Sequence, residues 1–270
     1  MRLQPELLVC LLSPVYQRIT PTPCLPQIRF KTCSESTDLS PSSQAVAVVW
    51  VFTPPAPSMP MEPKVTMICS IEEMLKLTSP AVYIVGRREN TLKEAAKTAI
   101  NGTIKPIVGD VSDKASLEKI VEQIRAEEGY INLLYANAGV SGPKDRANID
   151  QKAEKPTVKG FQEALWQPEM QEFTTALHIN CTGVYYTALA FLDLLDAGNK
   201  KRNVPQDSQV LVTSSIAGFS RQLASSFAYS TSKAAVNHLV KMMSTAFAQS
   251  GFHIRCNLIA PGLYPSEVCI

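Results

Sequence analysis

The chain has 270 residues, 45% of them hydrophobic and 19% charged, and a formal net charge of +2. That is enough for one large domain or two small ones around a substantial core. The nearly balanced charge gives no reason to expect nucleic acid or an acidic membrane surface as partner, and the longest basic run, Lys200-Lys201-Arg202, reads as a solvated loop.

The first eighty residues differ from the rest. None of the 12 glycines precedes Gly86, whereas 12 of the 19 prolines lie at or before Pro80. Proline has no amide hydrogen and disfavours helix in the residue before it, so residues 1–63 read as an irregular extension. Met1-Arg2 followed by Leu7–Leu12 resembles the start of a secretory signal, but Glu6 and Pro14 bracket the run, which reads as unstructured. No apolar run approaches the ~18 residues of a membrane span. Ala45–Phe52 (AVAVVWVF) is an apolar run of buried-strand type. Val65–Cys69 reads as a short strand, and Ser70-x-x-Glu73 as a capping box opening a helix through Leu77. The seven cysteines form no C-x-x-C pair, which suggests free thiols in a reducing, cytoplasmic setting.

From Ala81 the pattern becomes regular. Strands are predicted at Ala81–Val85, Ile104–Val108, Ile131–Tyr135, Gln209–Val212 and His253–Ile259. Helices are predicted at Thr91–Ile100, around Leu117, Ile120, Val121 and Ile124 at i, i+3, i+4, i+7, at Thr174–Leu195, and at Tyr229–Gln249. A long loop runs through Pro143 and Pro156. This alternation implies an α/β fold, a doubly wound parallel sheet in one domain over residues 64–270. Ligands of such sheets bind beyond the carboxyl ends of the strands.

The chemistry-bearing residues fall at those ends. Tyr229-Ser230-Thr231-Ser232-Lys233 places a phenol and an ammonium at i and i+4 on one helical face. A neighbouring ammonium favours the phenolate, which suits a proton donor and acceptor. Alone, the pair reads as readily as a surface contact. Ser215, in Thr213-Ser214-Ser215-Ile216-Ala217-Gly218, stands fourteen residues upstream of Tyr229 and just beyond a strand, where its hydroxyl could bind a carbonyl or merely close a turn. Asn137-Ala138-Gly139 follows another strand with small residues that let backbone approach a ligand. Asn180 is polar within an apolar helix, and Asn257–Gly262 (NLIAPG) closes the last strand with a Pro-Gly turn. His178, His238 and His253 show no ligand spacing, so no metal is expected.

In this order and spacing the motifs resemble the short-chain dehydrogenase/reductase family over about two-thirds of the chain, a Rossmann-like fold. The resemblance implies hydride transfer between a nicotinamide cofactor and a small carbonyl or secondary-alcohol substrate. Tyr229 would be general acid or base, and Lys233 would lower its pKa and bind the nicotinamide ribose. Ser215, or its neighbour Ser214, would orient the carbonyl, and Asn180 would hold a water linking Lys233 to solvent. Asp110 and Val111 would contact adenine, Asn137, Ala138 and Gly139 would line the cofactor, and Pro261 and Gly262 would flank the nicotinamide. Arg87, with Arg88 beside it, stands where arginine suits a 2′-phosphate, pointing to NADP(H) over NAD(H). The helices Thr174–Leu195 and Tyr229–Gln249 correspond to those through which family members dimerise.

Two features depart from the family. The first strand should lead through a Gly-rich turn to a helix whose amino terminus takes the pyrophosphate, and here no glycine precedes Gly86. Either Ala45–Phe52 or Val65–Cys69 is expected to fill the central strand position, the latter preferred. The chain also stops at Ile270, soon after Pro261-Gly262, where family members continue into a substrate-covering lid. The alternative to an active enzyme is therefore a non-catalytic binding or dimerisation partner.

Overall fold

In the computed structural model the described residues are 47–51, 81–97, 104–145, 149, 157–223 and 225–262. The chain divides between Ser40 and Pro41, and all described residues belong to the second unit. The expected strand at Val65–Cys69 and helix through Leu77 lie outside them.

Six strands form one sheet: β1 (Ala47–Val51), β2 (Ala81–Gly86), β3 (Ile104–Val108), β4 (Leu133–Ala136), β5 (Gln209–Thr213) and β6 (Arg255–Ile259). Their order, β3-β2-β1-β4-β5-β6, is that of the doubly wound dinucleotide folds. The predicted strands from Ala81 onward all appear, with ends moved by one or two residues.

The central strand is the surprise. It comes from the Ala45–Phe52 run, the less favoured of the two candidates. It also runs antiparallel to both neighbours, pairing Ala47 with Val85, Val51 with Ala81, and Val49 with Leu134. The other five strands are parallel to one another. A strand with a neighbour on either side must satisfy its backbone groups, and a reversed ladder does so as completely as a parallel one. Reversal also makes Val51 leave the sheet at the edge where Ala81 enters, so no crossover helix is needed between them. The consequence is that the chain enters β1 at the carboxyl edge of its neighbours, and whatever follows Val51 starts from the opposite edge.

Alternation in β2 divides its side chains between two layers. Tyr83 and Val85 join the core shared with helices α2 (Lys114–Glu127), α5 (Val184–Ala190), α6 (Leu192–Lys201) and α7 (Phe227–Gln249). Val82 and Ile84 pack with Leu92 of α1 (Glu89–Lys97) on the other face. The i, i+3, i+4, i+7 set Leu117, Ile120, Val121 and Ile124 is buried as its spacing requires. Asp113 caps α2 by accepting from Ser116 N at 2.9 Å.

The long loop is not wholly loop. It contains α3 (Val158–Leu165), capped by Thr157, and α4 (Met170–Leu177) begins earlier than predicted. From α4 the chain stays helical through a π-helical turn, His178–Gly183, into α5 and α6. Such a turn inserts one residue into the helical ladder and is a recurrent mark of functional positions.

At the foot of α2 the fully buried Tyr83 donates its hydroxyl to Glu127 at 2.7 Å and lies 3.1 Å from Glu128, while Lys105 Nζ donates to that hydroxyl at 2.9 Å. Burial first, and then the carboxylates, hold the phenol protonated, and its hydrogen bond lowers the pKa of Glu127. Tyr83→Phe is expected to cost about 1 kcal/mol, the net worth of one such bond. Urea unfolding checks this; an unchanged midpoint would show that the cluster does not hold the helix.

Candidate active site

The candidate residues converge on the carboxyl edge of the parallel strands, from four segments. The first is the amino end of α7. Ser226 caps it, accepting from Tyr229 N at 2.9 Å and donating to Ser141 O at 2.6 Å. Tyr229 thereby sits in the first turn, half-buried, with Lys233 one turn further on the same face. Lys233 Nζ lies 5.7 Å from the Tyr229 ring centre.

Lys233 is only 4% exposed, and its ammonium donates to Thr213 O, at the end of β5, at 2.7 Å. Burial pushes its pKa down to about 8. Thr213 is itself fixed from the next strand end: its hydroxyl lies 2.8 Å from that of Tyr135 and donates to Asn137 Oδ1 at 2.6 Å. Thr213 was not singled out from the sequence, because it acts through a backbone carbonyl that any residue could provide.

The second segment is the π-helical turn. It aims the buried Asn180 side chain across to the loop after β4, where Oδ1 accepts from Val140 N at 2.8 Å and Nδ2 donates to Val140 O at 2.9 Å. Nδ2 also donates to Ser232 Oγ at 2.8 Å. A polar residue inside an apolar helix thus ties the loop to α7. Between them lies Gly139. A Cβ there would stand 3.1 Å from Asn180 Oδ1 and 3.7 Å from Lys233 Nζ, so a side chain would fill the floor of the site. Ala138 is buried beside it.

The third segment follows β5. Ser214 points inward and donates to Asn237 Oδ1 of α7. Ser215 begins a single 3-10 turn, Ile216–Gly218, and its Oγ accepts from Ala217 N at 3.1 Å. That bond uses a lone pair and leaves the hydroxyl hydrogen to donate. Pro261 reaches this turn from β6, its carbonyl accepting from Ile216 N at 3.0 Å, and a Cβ on Gly262 would stand 4.0 Å from Ile216 Cδ1.

The fourth segment joins the ends of β2 and β3. Arg87 Nη1 lies 4.0 Å from Asp110 Oδ2, and both side chains are partly exposed. Asp110 Oδ1 accepts from Ser112 N and Oγ at 2.9 and 2.6 Å. Burial opposes ionisation of Asp110, but these bonds and Arg87 outweigh it and lower its pKa. Val111 turns into the core, so only its backbone remains at the edge.

This edge thus presents a glycine floor with a buried lysine at one end and a partly exposed arginine at the other. Its middle is different. The family's phosphate cradle follows the first strand at this edge, and the reversed β1 sends the residues after Val51 from the opposite one. Among the described residues no group of His, Cys, Asp and Glu could hold a metal ion. Nor is any described helix long and apolar enough to cross a membrane.

Residues 72–269 match the family model for short chain dehydrogenases. The chain is 46% identical over 199 residues to the short-chain dehydrogenase/reductase PhomF of Diaporthe leptostromiformis, covering 73% of this chain and 66% of that one, just under two thirds of the relative. It is 41% identical over 200 residues to the short-chain dehydrogenase/reductase SAT3 of Stachybotrys chartarum, covering 69% and 71%. Among solved structures it is similar in fold to RhlG of Pseudomonas aeruginosa in an NADP active-site complex, with TM-score 0.53 and 24% identity over 68% of this chain and 63% of that one. A short chain dehydrogenase/reductase from Burkholderia phymatum in complex with NAD gives TM-score 0.56 at 20% identity, over 69% and 58%.

Proposed function

Because the chain belongs to the short-chain dehydrogenase/reductase family, we propose that it is an NADP(H)-dependent oxidoreductase acting on a small carbonyl or secondary-alcohol substrate. The observation that carries this reading is Lys233, an ammonium buried beside Tyr229 and anchored on Thr213 O. Burying a charge costs free energy, and a lysine with a lowered pKa at a ligand-binding sheet edge marks a functional position.

In the reduction direction Tyr229 donates its phenolic proton to the carbonyl oxygen, and Lys233 stabilises the phenolate left behind. Ser215 donates a hydrogen bond to the same oxygen, while Ser214 is committed to Asn237. Asn180 has both amide hydrogens spent on Val140 and Ser232, so a water on the path from Lys233 would be held by the second lone pair of Oδ1. Asn137, Ala138, Gly139, Pro261 and Gly262 would line the nicotinamide half, and Asp110 and Val111 the adenine half. The nicotinamide cofactor, when bound, supplies or accepts the hydride. The two described cysteines are free thiols, which supports a cytoplasmic location.

Arg87 supports NADP(H), because a partly exposed guanidinium just beyond β2 suits a 2′-phosphate, which it can bind with two donors. Fluorescence titration tests both cofactors. NADPH is expected to bind about tenfold more tightly than NADH, a preference that Arg87→Ala removes. Equal affinities in the wild type would sink the NADP(H) assignment. The direction of β1 favours a second reading, a non-catalytic partner pairing through α4–α6 and α7. A folded protein that binds neither cofactor would select it.

A further inference from the structure

We propose that Asp145 is a positioning residue for Tyr229, acting through the first turn of α7; this rests on the proposed function. The loop after β4 is seated along that helix end. It is tied by Asn180 at Val140 and by Ser226 at Ser141 O, and then passes Gly142. Gly142 has φ +70°, a backbone conformation open mainly to glycine. A Cβ on it would stand 3.1 Å from Ala228 Cβ and 3.2 Å from Ser226 Oγ, so the loop rests directly on the first turn. Three residues later Asp145, 5% exposed, accepts the Phe227 N–H on Oδ2 at 2.9 Å.

The first turn of a helix leaves its N–H groups without intrahelical partners. In α7 two of them are taken by side chains: Ser226 accepts from Tyr229 and Asp145 from Phe227. A cap needs no burial, as the exposed Asp113 shows at α2. Asp145 is buried, comes from 82 residues away, and adds to a helix that already has its own cap. Burying a carboxylate at a helix amino terminus is offset by the partial positive charge there. What the second cap adds is a fixed attitude of the turn that carries the phenol relative to the floor of the site. It also joins the turn of Tyr229 to the loop that follows β4.

The test compares Asp145→Ala with Asp145→Asn, whose amide oxygen still accepts from Phe227. With NADPH and para-nitrobenzaldehyde as the carbonyl probe, Asp145→Ala is expected to lower kcat about 10- to 100-fold, the cost of ångström-scale misplacement. KM for NADPH should stay within about twofold and Asp145→Asn within about threefold of wild type. In a Tyr229→Phe background Asp145→Ala should cost nothing further. An unchanged kcat, or an equal further loss in that background, overturns the proposal. Should Asp145→Ala not fold, Asp145→Ser, too short to reach Phe227, takes its place. Hydrogen exchange gives a readout independent of turnover: the amides of residues 227–231 should exchange faster in Asp145→Ala and at the wild-type rate in Asp145→Asn. Unchanged exchange in Asp145→Ala also overturns the proposal. A wild type without turnover would refute the enzymatic reading alone, leaving exchange to decide on Asp145.

Discussion

Tyr229→Phe is expected to lower turnover about a thousandfold while leaving the fold and NADPH binding in place, within the range for loss of a general acid. The change removes one oxygen from a half-buried ring, and the turn around it is held by backbone and side-chain bonds that phenylalanine keeps: Ser226 to Tyr229 N and Asp145 to Phe227 N. Lys233 also keeps its anchor on Thr213 O. Ser215→Ala should cost less, about 100-fold, because it removes a donor to the developing charge and not the proton itself. Steady-state rates with saturating cofactor, and thermal melts to show that each variant is folded, make the check. A Tyr229→Phe variant within tenfold of wild type would mean that the proton comes from elsewhere, and the buried lysine would then need another explanation.

The candidate residues were legible in the sequence because they stand at fixed offsets from strand ends. Tyr229 and Lys233 share a helical face, and Asn137–Gly139, Ser215 and Pro261 each follow a run of strand-type residues. What joins these residues was less legible. Thr213 anchors Lys233 through its carbonyl, Val140 receives Asn180 through its backbone, and Asp145 meets Phe227 from 82 residues away. None of these leaves a local pattern. Ser226 could have been found, since Ser-x-x-Tyr before a long apolar-faced helix is an N-cap spacing, and it would have moved the start of the helix back to Phe227. Thr157 before α3 offered the same signal within the loop.

The direction of β1 was not legible at all. Composition in AVAVVWVF states that both faces are to be buried, and burial is indifferent to which way the strand runs. Local sequence, which favours Val65–Cys69, says nothing about which run occupies the centre of the sheet. The pairing of Ala47 with Val85 and of Val49 with Leu134 is a property of the whole sheet. The family pattern was no guide either, since its first strand is recognised by the glycines after it, which this chain lacks. The same reversal sends the residues after Val51 from the edge opposite the one where Asn137, Ser215 and Pro261 stand.

Lys233→Met is expected to abolish turnover and at the same time stabilise the protein near neutral pH. The lysine falls from an ordinary value of 10.5 to about 8 on burial. An unfolded chain therefore binds its proton more tightly than the folded one, and the folded state bears the difference, about 3 kcal/mol, wherever the lysine is charged in both. Losing the bond to Thr213 O leaves that carbonyl with one partner fewer, a loss of about 1 kcal/mol, so the variant should gain roughly 2 kcal/mol at pH 7. The sign of the pH dependence follows. Between the folded pKa near 8 and the unfolded value of 10.5 only the unfolded state keeps its proton, so the wild type gains stability as pH rises through that window. Cys256, whose thiol burial pushes up to about 12, works the other way from pH 9 upward, but it does so in both proteins and cancels in their difference. The advantage of Lys233→Met over wild type should accordingly shrink by about 1 kcal/mol between pH 7 and pH 9. Paired urea titrations at the two pH values measure it. A variant less stable than wild type at pH 7, or a gap that widens with pH, would show that the ammonium is held by more than Thr213 and is not a charge kept buried at the expense of stability for the sake of the reaction.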